Sequence, residues 1–337
     1  MGSKVAVIGA GSWGTTVAAI VATRTEAVLW ARRPDLAAEI NECRQNTTYL
    51  GDARLPESLR ATSSIAEAVE GASVVVMAVP SHGFREVLSS ALEAMASGTP
   101  VLSLAKGLEQ ETLLRMTEVA GEVCPASPAG VLTGPNLASE VMDGQPAATV
   151  VAFADEKLAR ELQGLFSTET LRVYTNTDVV GCEIAGAVKN VMAIATGMAV
   201  GLGFGDNTRA AVITRSLAEV ARLGTALGGD PLTFGGLAGL GDLVATCTST
   251  KSRNFTVGLE LAAGGSMDEI VAGMKMVAEG IKSSRPVVQL AGRLGLEMPI
   301  AEQVVAVLYE GKAPAATIAS LMRRSAKPEL QGLRSEP

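Results

Sequence analysis

Residues 4–14 read Lys-Val-Ala-Val-Ile-Gly-Ala-Gly-Ser-Trp-Gly, a short apolar run that leads directly into a Gly-x-Gly-x-x-Gly motif. In such a motif Gly9 permits the tight turn from strand to helix, Gly11 lets the backbone approach a pyrophosphate, and Gly14 lets the helix pack closely on the strand. The N-terminus of the helix then stabilises the negative charge of the ligand. A glycine-rich turn without a ligand is the alternative, because 36 glycines offer many chance spacings. The strand before the motif and the helix after it favour dinucleotide binding.

The composition limits the class of protein to which this motif can belong. A length of 337 residues predicts two domains of ordinary size, each with enough chain for a core. Hydrophobic residues make up 47% of the chain but aromatic residues only 3%, so the cores must consist of Ala, Val, Leu and Ile. Such cores suit parallel sheets and tightly packed helices. A net charge of −7 argues against nucleic acid as a partner and requires any anion site to be focal.

The apolar stretches and the first residues of the sequence predict a cytoplasmic protein with no membrane span. The longest mostly apolar stretch, 191–203, is too short and too rich in glycine to cross a bilayer, and the first residues lead into a strand rather than a leader peptide. The four cysteines form no C-x-x-C pair, so the sequence predicts neither a disulfide framework nor a metal site. They are interpreted as small core residues: Cys43, Cys124, Cys182 and Cys247.

The first half of the chain alternates strand-like with helical runs, which predicts an α/β domain built on a doubly wound, Rossmann-type parallel sheet. After residue 177 the remaining chain has helical spacing, so we expect residues 1–177 to form the nucleotide-binding domain and 178–327 an all-helical domain. A loose tail is expected for 328–337. The predicted strands are 5–8, 27–30, 73–79, 101–104, 130–133, 148–153 and 171–174.

Two arginines after the second strand bear on the choice of cofactor. An acidic residue at this place binds the ribose 2′-hydroxyl of NAD, whereas an arginine accommodates the 2′-phosphate of NADP. The chain has Arg32 and Arg33 there, and Asp35 comes too late to replace the acid. The pair therefore favours NADP, or the use of both NAD and NADP. Two solvated arginines ahead of a turn are the alternative.

A carbonyl reductase also needs a group that protonates the alkoxide as hydride arrives. The only histidine, His82, follows a strand but is better interpreted as a turn or packing residue. A lysine is the natural substitute, because burial and nearby positive charge lower its pKa. Lys106 follows the strand 101–104, at the edge where open parallel sheets bind ligands. Lys189 lies within an apolar helix.

The surroundings of Lys189 make it the stronger candidate. A lysine inside an apolar helix is costly to bury without a partner, although it could also lie on an exposed helical face. Asn190 follows it directly, and Asp242 is a lone carboxylate in an apolar, glycine-rich segment that would suit a buried ammonium group. A helix cap is the alternative role for Asp242.

The densest polar run of the helical half spans residues 246–254. It contains hydroxyl groups, a lysine, an arginine and an asparagine just before another helical segment. Charged side chains and free backbone N–H groups together could bind a phosphate. A solvated loop with an ordinary N-cap is the alternative, but a nicotinamide domain and a Lys-Asn pair elsewhere favour the phosphate. The residues singled out are Thr246, Ser252, Arg253 and Asn254.

Taken in order, these segments resemble the bacterial NAD(P)-dependent glycerol-3-phosphate dehydrogenases. The resemblance covers nearly the whole chain, with family motifs at similar spacing. They are Gly-Ala-Gly-Ser-Trp-Gly at 9–14, Trp-Ala-Arg-Arg at 30–33, Ala-Val-Pro-Ser-His at 78–82, Ala-Lys-Gly-Leu-Glu at 105–109, Gly-Pro-Asn-Leu-Ala at 134–138, Val-Lys-Asn-Val at 188–191, Gly-Leu-Gly-Asp-Leu at 239–243, Ser-Arg-Asn at 252–254 and Val-Ala-Glu-Gly at 277–280.

The resemblance implies a 6-phosphogluconate-dehydrogenase-like fold and reversible conversion of dihydroxyacetone phosphate to sn-glycerol 3-phosphate, for glycerophospholipid synthesis. It implies that Lys189 transfers the proton, with Asp242 and Lys106 as further catalytic residues. The implied substrate contacts are Lys106, Gly134, Asn136, Lys189, Asn190, Asp242, Thr246, Ser252, Arg253 and Asn254. The implied cofactor contacts are Gly9, Gly11, Ser12, Trp13, Gly14, Arg32, Arg33, Lys106, Ala138, Arg253, Val277 and Glu279.

Two departures and two alternatives accompany this resemblance. Phe255 and Thr256 stand where the family often has further basic residues, and Arg32 stands where many relatives have histidine. A 3-hydroxyacid or 6-phosphogluconate type of dehydrogenase would place its lysine and asparagine a helical turn apart, not adjacent. A nicotinamide-sensing binding protein would lack a competent lysine. A homodimer is expected, because the helical domain is rich in alanine and glycine.

Overall fold

The computed structural model describes residues 4–274, 278–325 and 328. The chain forms two compact units, one of residues 1–105 with 115–179 and the other of residues 106–114 with 180–337. Residues 106–114 lie inside the range 1–177 that the sequence assigns to the first domain, but their contacts are with the helical unit. Leu108 explains this, because its side chain is buried in the helical core. Apart from Pro328, the predicted tail 328–337 lies outside the described residues.

The first unit is built on an eight-stranded sheet with the order β3-β2-β1-β4-β5-β6-β7-β8. All neighbouring strands are parallel except β6 and β7, which run antiparallel. The predicted Rossmann-type parallel sheet is therefore confirmed, with one antiparallel pair that the sequence did not indicate. The strands are β1 Lys4–Ile8, β2 Ala27–Trp30, β3 Arg60–Thr62, β4 Ala72–Met77, β5 Val101–Ser103, β6 Ala129–Thr133, β7 Ala147–Ala152 and β8 Leu171–Asn176.

The helices of this unit connect the strands. Their packed faces are mostly aliphatic, and the core consists chiefly of Ala, Val, Leu and Ile, as the composition requires. The helices of eight or more residues follow the strands β1, β2, β4, β5 and β7. The bounds are α1 Ser12–Ala22, α2 Pro34–Cys43, α3 Thr47–Leu50, α4 Ile65–Val69, α5 Phe84–Ala91, α6 Met116–Val123, α7 Ala138–Met142 and α8 Glu156–Phe166.

The turn between β1 and α1 depends on two of its glycines. Gly9 has a φ of +122°, and a Cβ atom there would lie 2.6 Å from the carbonyl oxygen of Ala78. A Cβ atom on Gly14 would lie 2.0 Å from the carbonyl oxygen of Gly9. Both positions therefore exclude any other residue, because the helix and strand approach too closely. A Cβ atom on Gly11, by contrast, would meet no described protein atom within 4 Å.

The second unit is helical around a long central helix. This helix, α9 Val179–Gly201, is long and apolar enough to cross a membrane. However, 83% of its apolar 18-residue stretch is buried inside the protein. Burial of this kind is what the core helix of a globular domain shows. The other helices are α10 Asp206–Ala226, α11 Pro231–Phe234, α12 Asp242–Thr248, α13 Arg253–Ala262, α14 Met267–Gly273, α15 Glu279–Arg293, α16 Pro299–Glu310 and α17 Pro314–Met322.

Two glycines let α13 cross α9 at very short distance. A Cβ atom on Gly197 would lie 2.1 Å from the carbonyl oxygen of Phe255, and one on Gly258 would lie 2.2 Å from that of Ile194. Only glycine fits at such a crossing, because the two backbones touch. The crossing brings the start of α13 to the part of α9 that carries Lys189 and Asn190.

A buried carboxylate joins α10 to the start of α16. Glu219 accepts hydrogen bonds from the backbone N–H groups of Ile300, at 2.8 Å, and Ala301, at 3.3 Å. These are two of the N–H groups that a helix N-terminus leaves without an intrahelical partner. Burial nevertheless raises the pKa of Glu219 to about 7. The carboxylate therefore caps the helix at the cost of losing its own hydration.

Replacing Glu219 by glutamine is expected to make the protein relatively more stable at high pH. A carboxyl group whose pKa is raised on folding contributes stability below its unfolded pKa, near 4.5, and loses it as the pH rises through about 7. Glutamine cannot ionise, so the difference in free energy of unfolding between variant and parent should rise by about 2–3 kcal/mol from pH 5 to pH 8. Urea denaturation at the two pH values measures it.

The matched control is Glu260→Gln, which changes an exposed glutamate on α13. Its difference from the parent should be the same at both pH values. A Glu219→Gln variant whose difference is likewise independent of pH would show that Glu219 does not titrate in this range.

Candidate active site

Lys189 lies on the buried face of α9 and is only 6% exposed. Its Nζ donates hydrogen bonds to Oδ1 of Asp242 and, at 2.7 Å, to Oγ1 of Thr246. Both partners come from α12, a helix more than fifty positions further along the chain. The alternative of a lysine on an exposed helical face is therefore excluded.

Asp242 binds a second lysine through its other carboxylate oxygen. Nζ of Lys106 donates to Oδ2 of Asp242 at 2.8 Å, and the Lys106 side chain is 12% exposed. Asp242 itself is 1% exposed. One carboxylate thus neutralises one of two neighbouring ammonium groups, and the cluster of Lys106, Lys189 and Asp242 has a net positive charge when both lysines are protonated.

This arrangement brings the proton affinity of Lys189 close to neutral pH. Burial lowers the pKa of Lys189 from 10.5 to about 8, Asp242 opposes the shift, and the charge of Lys106 adds to it. A general acid works best when its pKa lies near the working pH. Lys189 can therefore release a proton at physiological pH and take it up again.

Asp242 reaches the two lysines because of the turn before it. Residues 237–241 form a π-type turn in which the N–H of Gly241 bonds to the carbonyl of Gly236 at 3.1 Å. A Cβ atom on Gly239 would lie 2.2 Å from the carbonyl oxygen of Phe234, so only glycine lets this turn pack against the preceding helix. Asp242 is the first residue of α12, and Gly241 occupies the N-cap position. The interpretation of Asp242 as a helix cap is therefore wrong.

The segment that carries Lys106 is tied to the helical unit through its backbone. The Nδ2 group of Asn190 donates to the carbonyl oxygen of Lys106 at 2.9 Å. The N–H of Lys106 donates to Oε2 of Glu279 at 3.2 Å. Lys189 therefore binds Asp242, whereas the neighbouring Asn190 binds the backbone of the segment that carries Lys106.

A second asparagine extends this contact to α15. Nδ2 of Asn254 donates to Oδ1 of Asn190 at 3.0 Å, and Oδ1 of Asn254 accepts from the N–H of Gly280 at 2.9 Å. A Cβ atom on Gly280 would lie 2.5 Å from the carbonyl oxygen of Asn190. Gly280 ends the motif Val-Ala-Glu-Gly at 277–280, but the sequence alone indicated no role for it. Its importance follows only from this close approach.

The polar run 246–254 serves several purposes. Thr246 is bound to Lys189, and Ser252 is the N-cap of α13, where its hydroxyl accepts from the N–H of Phe255 at 3.3 Å. The capping role that the sequence left open for this segment is thus present. Arg253 is the first residue of α13 and is exposed. Val277, which the resemblance implies as a cofactor contact, lies outside the described residues.

The remaining predicted residues belong to the first unit. Trp13, in the first turn of α1, has a buried indole N–H without a hydrogen-bond partner among the described residues. Arg32 and Arg33 follow β2 and are exposed, with Arg33 3.8 Å from Asp35. Gly134 has a φ of +136° after β6. The others lie near it or in α1: Ser12, Asn136 and Ala138.

The glycine turn of the first unit fits a dinucleotide. Gly11 leaves open space where a side chain would stand, α1 has no acidic residue in its first turn, and the buried Trp13 N–H has no hydrogen-bond partner in the described part of the chain. A pyrophosphate needs these features together. Residues 9–14, with Arg32 and Arg33, could therefore hold NAD or NADP. Within the described ranges, no group of three or more His, Cys, Asp or Glu residues could hold a metal ion.

A glycine turn that fits a dinucleotide and a buried lysine whose pKa is lowered to about 8 are each features of a nicotinamide-dependent dehydrogenase. Comparisons with known proteins identify its family. The models of the N-terminal and C-terminal domains of NAD-dependent glycerol-3-phosphate dehydrogenase match residues 4–159 and 178–319. The chain belongs to this family, and it is an NAD(P)-dependent oxidoreductase.

Individual relatives agree with the family. The chain is 56% identical over 301 residues to a glycerol-3-phosphate dehydrogenase [NAD(P)+] of Sphingopyxis alaskensis, covering 89% of this chain and 90% of the relative. It is 52% identical to one of Thermobifida fusca, covering 98% and 100%. A crystal structure of the enzyme from Coxiella burnetii superposes with a TM-score of 0.92 at 35% identity, covering 96% and 99%. The alternatives of a 3-hydroxyacid type of dehydrogenase and of a sensing protein find no support among these relatives.

Proposed function

We propose that this chain reversibly reduces dihydroxyacetone phosphate to sn-glycerol 3-phosphate and that Lys189 is the group that transfers the proton. The observation that supports this role is the burial of Lys189 in contact with Asp242, which also binds Lys106. Burial lowers the pKa of Lys189 to about 8, although Asp242 opposes the shift.

The reaction divides into a hydride and a proton. The reduced nicotinamide, when bound, supplies the hydride that forms the new C–H bond at C2 of the ketone. Lys189 donates the proton that the carbonyl oxygen takes up, and in the reverse direction the neutral amine accepts it. Asp242 orients the ammonium group, and Lys106 polarises the same oxygen with its positive charge.

The phosphate of the substrate requires separate cations. We assign it to the start of α13, which carries Arg253 and where the first N–H groups of a ten-residue helix favour an anion. Asn254 contributes by fixing this helix end to Asn190. Gly134, Asn136 and Ser252 complete the proposed substrate set, and Ala138 and Glu279 the cofactor set.

The activity is tested by mixing the purified protein with NADPH and dihydroxyacetone phosphate and following the absorbance of the reduced cofactor. Consumption that requires both compounds supports the proposal. The matched control is dihydroxyacetone, which lacks the phosphate and should react far more slowly. Absence of consumption with the phosphorylated ketone would overturn the assignment.

We further propose that the protein prefers NADP, because two exposed arginines follow β2 where the 2′-phosphate would lie. Replacing Arg32 and Arg33 together by alanine is expected to raise the Kd of NADPH by about tenfold and to leave that of NADH within about twofold. Fluorescence titration of each reduced cofactor measures both constants.

The control for this pair is Arg160→Ala, which removes an exposed arginine of α8 in the same unit. It should change neither constant. Equal losses of NADPH and NADH affinity in the Arg32→Ala, Arg33→Ala variant would defeat the proposed preference.

The same proposal places the protein in the cytoplasm, as a homodimer that supplies the glycerophosphate of membrane lipids. Phe204, Leu240 and Val244 are exposed apolar residues of the helical unit and are candidates for a dimer contact. Light scattering coupled to size-exclusion chromatography tests the dimer, and a mass of a single chain at micromolar concentration would contradict it.

A further inference from the structure

Asn46 is a completely buried residue that contacts the glycine turn from outside the motif. Its Nδ2 group donates to the carbonyl oxygen of Ala10 at 3.0 Å and to Oγ1 of Thr15 at 2.8 Å. Its side chain is 0% exposed, and its Oδ1 atom has no hydrogen-bond partner within the described part of the chain. The sequence did not indicate this residue, because its partners are 36 and 31 positions away.

The position of Asn46 at the start of α3 suggests a helix cap, but its side chain does not act as one. Asparagine is favoured at an N-cap because its side-chain oxygen accepts a backbone N–H of the first turn. Asn46 makes no such bond. Instead, Oε1 of Glu39 accepts hydrogen bonds from the N–H and the hydroxyl of Thr47, at 2.8 and 2.7 Å. The amide of Asn46 is therefore directed entirely at the turn between β1 and α1.

The contact with Ala10 fixes the orientation of one peptide group. A peptide unit is planar, and in the trans form its C=O and N–H point in opposite directions. Because the carbonyl of Ala10 points to Asn46, the N–H of Gly11 in the same plane points away from it. On Gly11 a Cβ atom would find no described atom within 4 Å.

We propose that Asn46 is a positioning residue for the cofactor: it holds the Ala10–Gly11 peptide so that the Gly11 N–H faces the pyrophosphate. The bond to Thr15, in the first turn of α1, fixes the helix end that the same phosphates approach. Asn46 itself touches neither cofactor nor substrate in this role. The inference requires that the chain binds NAD(P) but not that it prefers NADP.

Because the proposed role of Asn46 does not depend on a preference for NADP, its loss predicts a different pattern of cofactor affinities from the loss of the two arginines. The pyrophosphate is common to both cofactors, so loss of Asn46 weakens NADPH and NADH by the same factor. Loss of Arg32 and Arg33, in contrast, discriminates between them. Failure of one proposal is therefore distinguishable from failure of the other.

The test is Asn46→Leu, in which a side chain of similar size and branching removes the amide. Fluorescence titration is expected to show a Kd about tenfold higher for both NADPH and NADH, the effect of losing one well-placed hydrogen bond. At saturating NADPH, kcat and the KM of dihydroxyacetone phosphate should remain within about twofold of the parent, since the lysine cluster is untouched.

Glu39→Gln is the matched control, because it weakens the cap of the same short helix without contacting Ala10 or Thr15. Its cofactor constants should equal those of the parent. If Asn46→Leu does not yield folded protein, Asn46→Ala serves the same test with a smaller side chain. A folded Asn46 variant that unfolds at lower temperature but retains the parent's Kd for both cofactors would assign Asn46 a purely structural role and overturn the proposal.

Discussion

Replacing Lys189 by alanine is expected to lower kcat for reduction of dihydroxyacetone phosphate by about 10³-fold, within the range that a positioned general acid contributes. The fold should survive the change. Asp242 keeps the hydrogen bond from Lys106 at 2.8 Å, so its carboxylate is not left buried without a partner. Steady-state rates with NADPH and circular dichroism of the same sample measure the two effects.

The control for Lys189→Ala is Lys157→Ala, which removes an exposed lysine of α8. It should retain the parent's rate. Cofactor titration with Lys189→Ala should give the parent's Kd for NADPH, because Lys189 is not among the residues proposed to contact the cofactor. Turnover near that of the parent in Lys189→Ala would rule out Lys189 as the proton-transfer group.

The pKa of Lys189 also predicts opposite pH profiles for the two directions. Reduction needs the protonated amine, so its rate should fall as the pH rises through about 8. Oxidation of glycerol 3-phosphate needs the neutral amine, so its rate should rise over the same interval. Both profiles are measured with the parent enzyme. Profiles that move in the same direction would show that a different group titrates.

Replacing Asp242 by asparagine is expected to damage both stability and activity. Asp242 is the shared partner of two ammonium groups, that of Lys189, which is buried, and that of Lys106, which is partly buried. Removing one member of such a buried ion cluster costs about 3–5 kcal/mol of the free energy of unfolding, because uncompensated charge remains. It also lowers the pKa of Lys189 further, since Asp242 is the group that raises it. Reduction at pH 7 should fall by about 10²-fold or more.

Urea denaturation and steady-state kinetics test this variant against Asp268→Asn, which changes an exposed aspartate of α14. A double variant adds a sharper comparison. Lys189→Met combined with Asp242→Asn leaves one ammonium group instead of two, so it should be more stable than Asp242→Asn alone. A double variant that is less stable than Asp242→Asn would mean that charge repulsion between the lysines is not the cause.

Much of the fold could be predicted because it is encoded locally. Every strand proposed from an apolar run overlaps an observed strand, and family membership confirms the Rossmann-type and helical halves. The strand β3, Arg60–Thr62, was missed because it has only three residues, two of them polar, and pairs on one side only. The reversed direction of β7 was missed because an apolar run has the same hydrophobic pattern in either direction.

By itself, the sequence determined the glycine turn at 9–14, since the residues that make it are neighbours in the chain. It also selected Lys189 and Lys106 as candidates. Only the tertiary structure decided that both lysines bind one carboxylate, 53 and 136 positions away, and that Asn46 contacts the turn. The physical reason is that hydrophobic periodicity determines which residues are buried, whereas the partner of a buried polar group is decided by how distant helices pack.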